Sequence, residues 1–265
     1  MYFVSMALTL GHVRRAAPLS AADGPYAHAA VMRAISDMDA DAGGVLHDMR
    51  AHKRITIALV GGDAWGAILR LTFMAEDGLA YASILADALT VRPSLRLGDT
   101  ICTVKSVDLA HPVWSGVGTW ADILSGEPAR RMRLTFVTPT AVMKRDGNGN
   151  RFTSLYPDPC DVFSGLARRW RSMDGPPLPG DIEEFVRAGG CVVSGHSVHT
   201  ETFHTVDRSQ IGFLGHVNYE CRGGTAPHIA ALNALARLAF WGGVGYQTAR
   251  GMGAVRVDIA GEVQS

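Results

Sequence analysis

The sequence predicts an α+β protein made of two tandem halves, each with an antiparallel sheet and helices on one face. Strand-like alternation and helical spacing follow one another in the order β-α-β-β-α-β, and the same order then recurs. Between the two runs lies HPVWSGVGTWADILSGEP, residues 111–128, which is rich in Gly, Ser, Pro and Trp and has neither period. We therefore expect an N-terminal domain of residues 1–125 and a C-terminal domain of residues 126–265.

The first half contains four predicted strands and two predicted helical stretches. Alternating apolar and polar residues indicate strands at 2–10, 54–59, 67–73 and 99–109, and helical spacing indicates helices at 26–49 and 75–89. The first helical stretch should be interrupted around Asp39-Ala40-Asp41 and again at Gly43-Gly44, because Asp and Gly are poor residues for a helix interior.

The second half repeats this order. Strands are expected at 131–138, 190–202, 212–221 and 254–259, helices at 159–171 and 227–241, and a turn at DGNGN, residues 146–150. Thr225 should cap the last helix, because it precedes Ala226 and the first-turn Pro227. Each half thus has the element order of a ferredoxin-like (RRM-like, βαββαβ) unit.

Composition limits the function classes. The chain has 265 residues, 47% of them hydrophobic, and 25 Lys plus Arg against 25 Asp plus Glu, so binding of a polyanion has to depend on local patches. The four cysteines form no C-x-x-C pair, which favours free thiols in a reducing compartment. The apolar N-terminus lacks a basic leader and a cleavage site, and no later apolar run is long enough for a membrane span. We expect a cytoplasmic protein.

A dense glycine cluster lies near the C-terminus. The stretch GGVGYQTARGMGAVRV, residues 242–257, has five glycines in its first twelve positions. A dinucleotide loop would need a strand before it and a helix after it, whereas here a predicted helix precedes the cluster and a predicted strand follows it. The glycines either let backbone N–H groups approach a phosphate or form a tight helix-to-strand turn.

Several motifs in the second half together resemble one family. They are FVTPTAV (136–142), PDPCDVFSGLARRW (157–170), GFLGHVNY (212–219) and the terminal G-x-G-x(5)-G-x-G formed by Gly243, Gly245, Gly251 and Gly253. A thinner match in the first half is LHDMRAHKRITIAL (46–59). In this order the motifs resemble the CRISPR repeat-processing endoribonucleases of the Cas-six type, within the RAMP superfamily.

The resemblance implies a set of catalytic residues. It places the general acid/base at His47 and an assisting lysine at Lys53. Histidine suits this role because its ordinary pKa is about 6.5, so that both protonation states are populated near neutrality. The structural alternative is a histidine that only stabilises the C-terminal end of its helix.

A third catalytic residue is less well defined. Family members often have a tyrosine about four helical turns before the histidine, but that position is Met32 here, and Tyr26 is the phenol near the helix start. Tyr26 is therefore the third catalytic candidate, with packing as its alternative role. His52 and His28 are the substitutes for His47.

The resemblance also implies an RNA-binding surface. It would consist of the four glycines of the terminal motif and the neighbouring Arg250, together with basic residues that could line a groove for phosphates. The basic candidates are Lys144, Arg145, Arg168 and Arg169, with further clusters at Arg50, Lys53 and Arg54 and at Arg130, Arg131 and Arg133. Each cluster taken singly could equally be a solvated face.

Three histidines close together invite a metal site. His196, His199 and His204 lie on one predicted strand, but His196 and His199 should point to opposite faces, and no cysteine or acid except Glu201 lies at a suitable interval. We expect no metal and no other cofactor.

The implied reaction is metal-independent cleavage of CRISPR repeat RNA (pre-crRNA) to mature guide RNA. Attack by the 2′-hydroxyl would leave a 2′,3′-cyclic phosphate and a 5′-hydroxyl. The alternatives are a non-catalytic RNA-binding RAMP subunit and a small-molecule enzyme that uses the glycine segment for a nucleotide. A CRISPR effector complex and a second copy of the chain are open as partners, and no membrane is expected.

Overall fold

The structure, a computed structural model, describes residues 1–12, 17–48, 54–205 and 209–260. The described residues fall into two compact units. The first unit comprises those of Met1–Thr119, Phe203–Ser209 and Gln247–Met252, and the second comprises those of Trp120–Thr202, Gln210–Tyr246 and Gly253–Ser265. Segments from late in the chain therefore belong to the first unit. The predicted domain boundary after residue 125 stays a prediction.

The first unit has an antiparallel sheet with strand order β2-β3-β1-β5-β4, and β6 also pairs with β1. Its elements are β1 (Tyr2–His12), α1 (Gly24–Met38), α2 (Ala40–Asp48), β2 (Ile55–Gly62), β3 (Gly66–Ala75), α3 (Gly78–Val91), β4 (Ser94–Leu97), β5 (Thr100–Asp108) and β6 (Gly116–Thr119). The core combines apolar residues of α1 and α3 with those of the strands. The sheet thus has the strand order expected of a ferredoxin-like unit.

The central strand β1 is covered on both faces, which explains its continuous apolar sequence. On one side of the sheet, the buried Ser5 donates from Oγ to the carbonyl of Trp114 at 2.6 Å. Arg70 is also buried there and donates from Nε to Ser5 Oγ at 3.1 Å. Burial lowers the pKa of the Arg70 guanidinium to about 9. The segment around Trp114 therefore closes a face that a minimal ferredoxin-like sheet leaves open.

The second unit repeats the arrangement, with an antiparallel sheet of order β10-β11-β7-β12. Its elements are α4 (Trp120–Leu124), β7 (Arg131–Thr140), β8 (Val142–Arg145), β9 (Arg151–Ser154), α5 (Pro159–Ser172), α6 (Ile182–Phe185), β10 (Cys191–His204), β11 (Ser209–Cys221), α7 (Ala226–Gly242) and β12 (Val255–Ile259). Strands β8 and β9 form a separate hairpin around the predicted DGNGN turn. The predicted α+β class with two ferredoxin-like halves is confirmed.

The first helical stretch is interrupted once, where two interruptions were predicted. Helix α1 ends at Met38, and Asp39 then accepts a hydrogen bond from Ala42 N at 2.9 Å, which starts α2. The break predicted at Gly43-Gly44 is wrong, because both glycines lie inside α2. A Cβ at Gly43 would lie 2.1 Å from Ser36 Oγ, so this glycine allows the two helices to approach closely.

The segment 111–128, predicted to be an irregular boundary, contains β6 and α4. Together with β4 and α6, these elements have only four or five residues each, too few to show a period in the sequence. Within the described residues, no helix combines the length and the apolar character that crossing a membrane requires.

Candidate functional site

The glycine segment follows a helix and precedes a strand, as predicted, and all four glycines of its motif have left-handed backbone. The φ angles are 68° at Gly243, 83° at Gly245, 99° at Gly251 and 73° at Gly253. Helix α7 ends at Gly242 and is capped by Gly243, whose N–H donates to the Ala239 carbonyl at 2.9 Å. Any residue with a Cβ would be strained at these positions, so the spacing of the motif reflects the path of the backbone.

Close backbone contacts add a second requirement for glycine. A Cβ at Gly245 would lie 2.2 Å from the Ala141 carbonyl oxygen. Within the first unit, a Cβ at Gly251 would lie 3.0 Å from the Ala21 carbonyl oxygen, and one at Gly24 would lie 2.3 Å from the Arg250 carbonyl oxygen. The chain around Arg250 therefore packs directly against the segment that leads into α1.

Most N–H groups of the motif bond within the protein. Gly251 N donates to the Ile57 carbonyl at 2.9 Å, and Gly253 N donates to the Pro139 carbonyl at 3.1 Å. Gly243, Gly251 and Gly253 are also buried, whereas Gly245 is exposed. Of the four motif glycines, Gly245 is therefore the one whose main chain a phosphate could reach.

A cleft of about 210 Å³ lies beside Gly245 in the second unit, lined in part by Asp161, Arg168 and Arg169 of α5. Arg169 donates from Nη1 to the Gly242 carbonyl at the end of α7. Burial lowers the pKa of Arg169 to about 10. Arg168, in contrast, is exposed at the cleft. The two adjacent arginines thus differ, since Arg169 supports a helix end and Arg168 offers its charge to solvent.

The hairpin β8–β9 presents further basic residues. Lys144 Nζ lies 2.9 Å from the Asp161 carboxylate, and this hydrogen bond raises the pKa of Lys144. Arg145 pairs with Arg151 across the hairpin and donates from Nη1 to the Gly149 carbonyl at 2.8 Å. Asp146 accepts hydrogen bonds from the Asn150 side chain and from turn N–H groups, which lower its pKa. These contacts fix the turn predicted at DGNGN.

His47 lies in the last turn of α2 and is exposed. Exposure leaves the imidazole accessible to a ligand, while its position in the last turn also fits the helix-end alternative. Lys53 and the substitute His52 lie outside the described residues, as does Arg50. The proposed pairing of His47 with Lys53 therefore stays a prediction.

Tyr26 lies on α1 and lines a cavity of about 720 Å³ in the first unit. Its ring packs on Gly98, where φ is 60° and a Cβ would lie 3.0 Å from the ring. Arg33 and Arg96 also line this cavity, whereas His47 is not among its described lining residues. Arg33 was not among the predicted site residues, although it follows Tyr26 by seven residues, two turns along the same helix face. His28 is half-buried on the same helix.

The histidines of β10 do not converge. The rings of His196 and Tyr156 meet edge to face with centroids 6.3 Å apart, and His204 Nδ1 lies 2.9 Å from Ser209 Oγ. Across the described ranges, no three His, Cys, Asp or Glu side chains are grouped as metal ligands.

The four cysteines are unpaired thiols, and burial raises the pKa of Cys221 to about 11.

Residues 134–255 match the family model of the CRISPR-associated endoribonuclease Cas6. The structure of a Cas6 (TTHB231) product complex aligns with 97% of this chain and 100% of that chain, at 22% identity and a TM-score of 0.84. A second TTHB231 structure is named as that of the Thermus thermophilus protein. A Cas6 (TTHA0078) product complex aligns with 97% and 100% at 26% identity and a TM-score of 0.77.

A substrate mimic complex of the same TTHA0078 protein aligns with 97% of this chain and 100% of that chain at 25% identity and a TM-score of 0.71. No curated protein sequence matches the chain. The resemblance that the sequence motifs indicated is confirmed.

Proposed function

The chain has the Cas6 fold over nearly its whole length and the Cas6 signature over residues 134–255, and on this premise we propose that it processes CRISPR repeat RNA. It is a metal-independent endoribonuclease that converts pre-crRNA to mature guide RNA. The observation that carries this proposal is the whole-chain match to a Cas6 protein whose structures are named as product and substrate mimic complexes.

RNA supplies its own nucleophile, so the protein has a limited task. The 2′-hydroxyl attacks the adjacent phosphorus in line and displaces the 5′-oxygen, which leaves a 2′,3′-cyclic phosphate and a 5′-hydroxyl. The protein has to orient the sugar and phosphate, move protons at the two oxygens and stabilise the developing charge. No step of this chemistry requires a metal ion.

His47 is the proposed proton-transfer residue and Lys53 the proposed charge-stabilising residue. The exposure of His47 supports the assignment, because an imidazole that works on RNA has to reach the substrate. Tyr26 is the weakest catalytic candidate, since its ring packs on Gly98 as a structural residue would. For phosphate binding, the exposed Gly245 and Arg168 are the best supported residues.

Cleavage of a synthetic repeat RNA in excess EDTA tests the proposal. We expect the wild-type chain to cut under these conditions and His47→Ala to cut about 10² to 10⁴-fold more slowly, as removal of an acid–base group predicts. Mass spectrometry of the products should find a cyclic phosphate and a 5′-hydroxyl.

The matched control is His111→Asn. His111 Nδ1 accepts hydrogen bonds from the turn N–H groups of Val113 and Trp114. An asparagine side chain can accept the same hydrogen bonds, so we expect full activity. Cleavage that requires added metal, or equal cleavage by His47→Ala, would contradict the mechanism. RNA binding without cleavage by the wild-type chain would instead favour the non-catalytic RAMP subunit.

A further inference from the structure

Tyr156 is an exposed aromatic residue in the second unit that the proposed mechanism does not use. Its side chain is 49% exposed, and it follows the hairpin β8–β9, which carries another exposed aromatic residue, Phe152, at 46%. Both rings leave apolar surface in water, as Tyr2 and Trp65 of the first unit also do, and Phe152 lies on the same short strand as Arg151.

The backbone around Tyr156 is held in place from both sides. The carbonyl of Pro157 accepts a hydrogen bond at 2.9 Å from the hydroxyl of Tyr219, a fully buried residue. Burial raises the pKa of Tyr219 well above its ordinary value, so the hydroxyl stays a donor. Asp158 N donates to the Tyr156 carbonyl at 2.9 Å, and the Asp158 carboxylate caps α5 through Cys160 N at 2.8 Å. The Tyr156 main chain is therefore preorganised although its ring is exposed.

One aromatic ring lies beside Tyr156, and basic residues lie on the hairpin that precedes it in the chain. The His196 ring meets the Tyr156 ring at 90° with centroids 6.3 Å apart, so the two are not stacked face to face. On the hairpin, Phe152 pairs with Lys144, and Arg151 pairs with Arg145 across the ladder. The charge of Lys144 is balanced by its ion pair with Asp161. Arg145 and Arg151 are paired across the two strands, so their two positive charges favour an anion at this end of the hairpin.

We propose that Tyr156, together with Phe152, stacks on unpaired nucleotides of the bound RNA while the hairpin arginines contact the neighbouring phosphates. The inference rests on the proposed function, and it adds a contact that selects unpaired over base-paired RNA. Bases in a helix are already stacked, so an exposed aromatic ring gains binding energy only from bases that are free to leave the stack. Stacking of this kind is tolerant of base identity and therefore reads structure more than sequence.

Equilibrium binding of two fluorescent RNAs tests the inference. One is a synthetic stem-loop with single-stranded flanks, and the other is a blunt duplex of the same stem, which has no unpaired base. We expect Tyr156→Leu to weaken binding of the flanked RNA about tenfold, as loss of one base–aromatic stack predicts, and to leave binding of the blunt RNA unchanged. Tyr156→Phe keeps the ring and should bind both RNAs like the wild-type chain.

Two further measurements make the result specific. Trp65→Leu removes an aromatic residue of the first unit that is 60% exposed and should alter neither affinity. Fluorescence of 2-aminopurine placed in the flanks should be quenched by the wild-type chain and by Tyr156→Phe, and less so by Tyr156→Leu. Leucine replaces the exposed ring with another apolar side chain, so we expect Tyr156→Leu to fold. Equal melting temperatures of this variant and the wild-type chain would verify that it does.

The outcomes separate the inference from the function on which it rests. If the wild-type chain binds and cuts the flanked RNA and Tyr156→Leu does so equally well, the stacking role is wrong and the nuclease stands. Equal losses for flanked and blunt RNA would also overturn it, because the loss of a stack on unpaired bases cannot weaken binding of a duplex that has none. If the wild-type chain binds neither RNA, the proposed function fails, and the stacking role fails with it.

Discussion

Gly245 and Gly251 belong to one sequence motif but meet different parts of the protein. An added Cβ at Gly245 would contact the Ala141 carbonyl in the second unit, and one at Gly251 would contact Ala21 and Gly24 in the first. Both residues have positive φ, so the conformation alone excludes most side chains. The motif therefore combines a conformational requirement with two separate close contacts, and these do not depend on a ligand.

We predict that Gly245→Ala destabilises the protein more than Gly149→Ala. The two residues have nearly the same backbone conformation, with φ of 83° at Gly245 and 82° at Gly149. A Cβ at Gly149 would meet no atom within 4 Å, whereas one at Gly245 would lie 2.2 Å from a carbonyl oxygen. Gly149→Ala should cost about 1 kcal/mol from the left-handed backbone alone. The contact should cost Gly245→Ala at least about 1 kcal/mol more. Urea unfolding measures both values, and equal losses would show that Ala141 can move aside.

The positions of the motif glycines were predictable from the sequence, but the residues that lie next to them in the fold were not. Arg168 and Arg169 are adjacent and equally basic, and nothing local distinguishes the exposed side chain from the one that donates to Gly242. The same holds for Lys144, whose partner Asp161 is 17 residues away. Which charges are available to RNA depends on tertiary contacts that a one-dimensional pattern does not contain.

Helix starts were better predicted, because capping residues act within a few positions of the helix that they begin. Thr225 caps α7, and His228 completes the capping box at the third helical position. His228 Nδ1 lies 2.8 Å from Thr225 Oγ1, and its Nε2 lies 3.0 Å from the Asp181 carboxylate. The ring also stacks on Phe185 with centroids 4.5 Å apart. The local part was visible in the sequence, while the contacts with Asp181 and Phe185 were not.

We predict that His228→Ala destabilises the chain by about 1 kcal/mol, the usual cost of losing a cap contact. His228→Gln should recover part of this loss, since glutamine at the third helical position can accept from the capping residue's N–H. Chemical unfolding of the wild type and both variants at one pH provides the comparison. Equal stability of the two variants would mean that the ring's contacts with Phe185 and Asp181, rather than capping, account for the effect.

The order of elements in the whole molecule was predictable because each ferredoxin-like half shows its strand and helix periods along the chain. The assignment of late segments of the chain to the first unit was not predictable. Residues 247–252 follow almost the whole second unit in sequence, yet Ala249 lies fully buried in the core of the first. Thr248 and Gly251 also exchange backbone hydrogen bonds with Ile57, at 3.0 and 2.9 Å. Such long-range pairing leaves no local periodicity, so the sequence pattern predicts a single boundary after residue 125 and gives no sign that residues 247–252 belong to the first unit.

This exchange leads to a prediction about the isolated N-terminal half. A fragment of residues 1–125 lacks both hydrogen-bond partners of Ile57 and the side chain of Ala249, so β2 loses its connection to the glycine segment. We expect the same fragment with residues 243–255 joined through a Gly/Ser linker to be more stable by about 2 kcal/mol, from two backbone hydrogen bonds at about 1 kcal/mol each. Urea unfolding of the two fragments measures the difference. A control fusion with Ala249→Asp should lose the gain, because an unpaired carboxylate would enter the core. Identical midpoints for all three would show that the first half folds independently of the glycine segment, with a true domain boundary near residue 125.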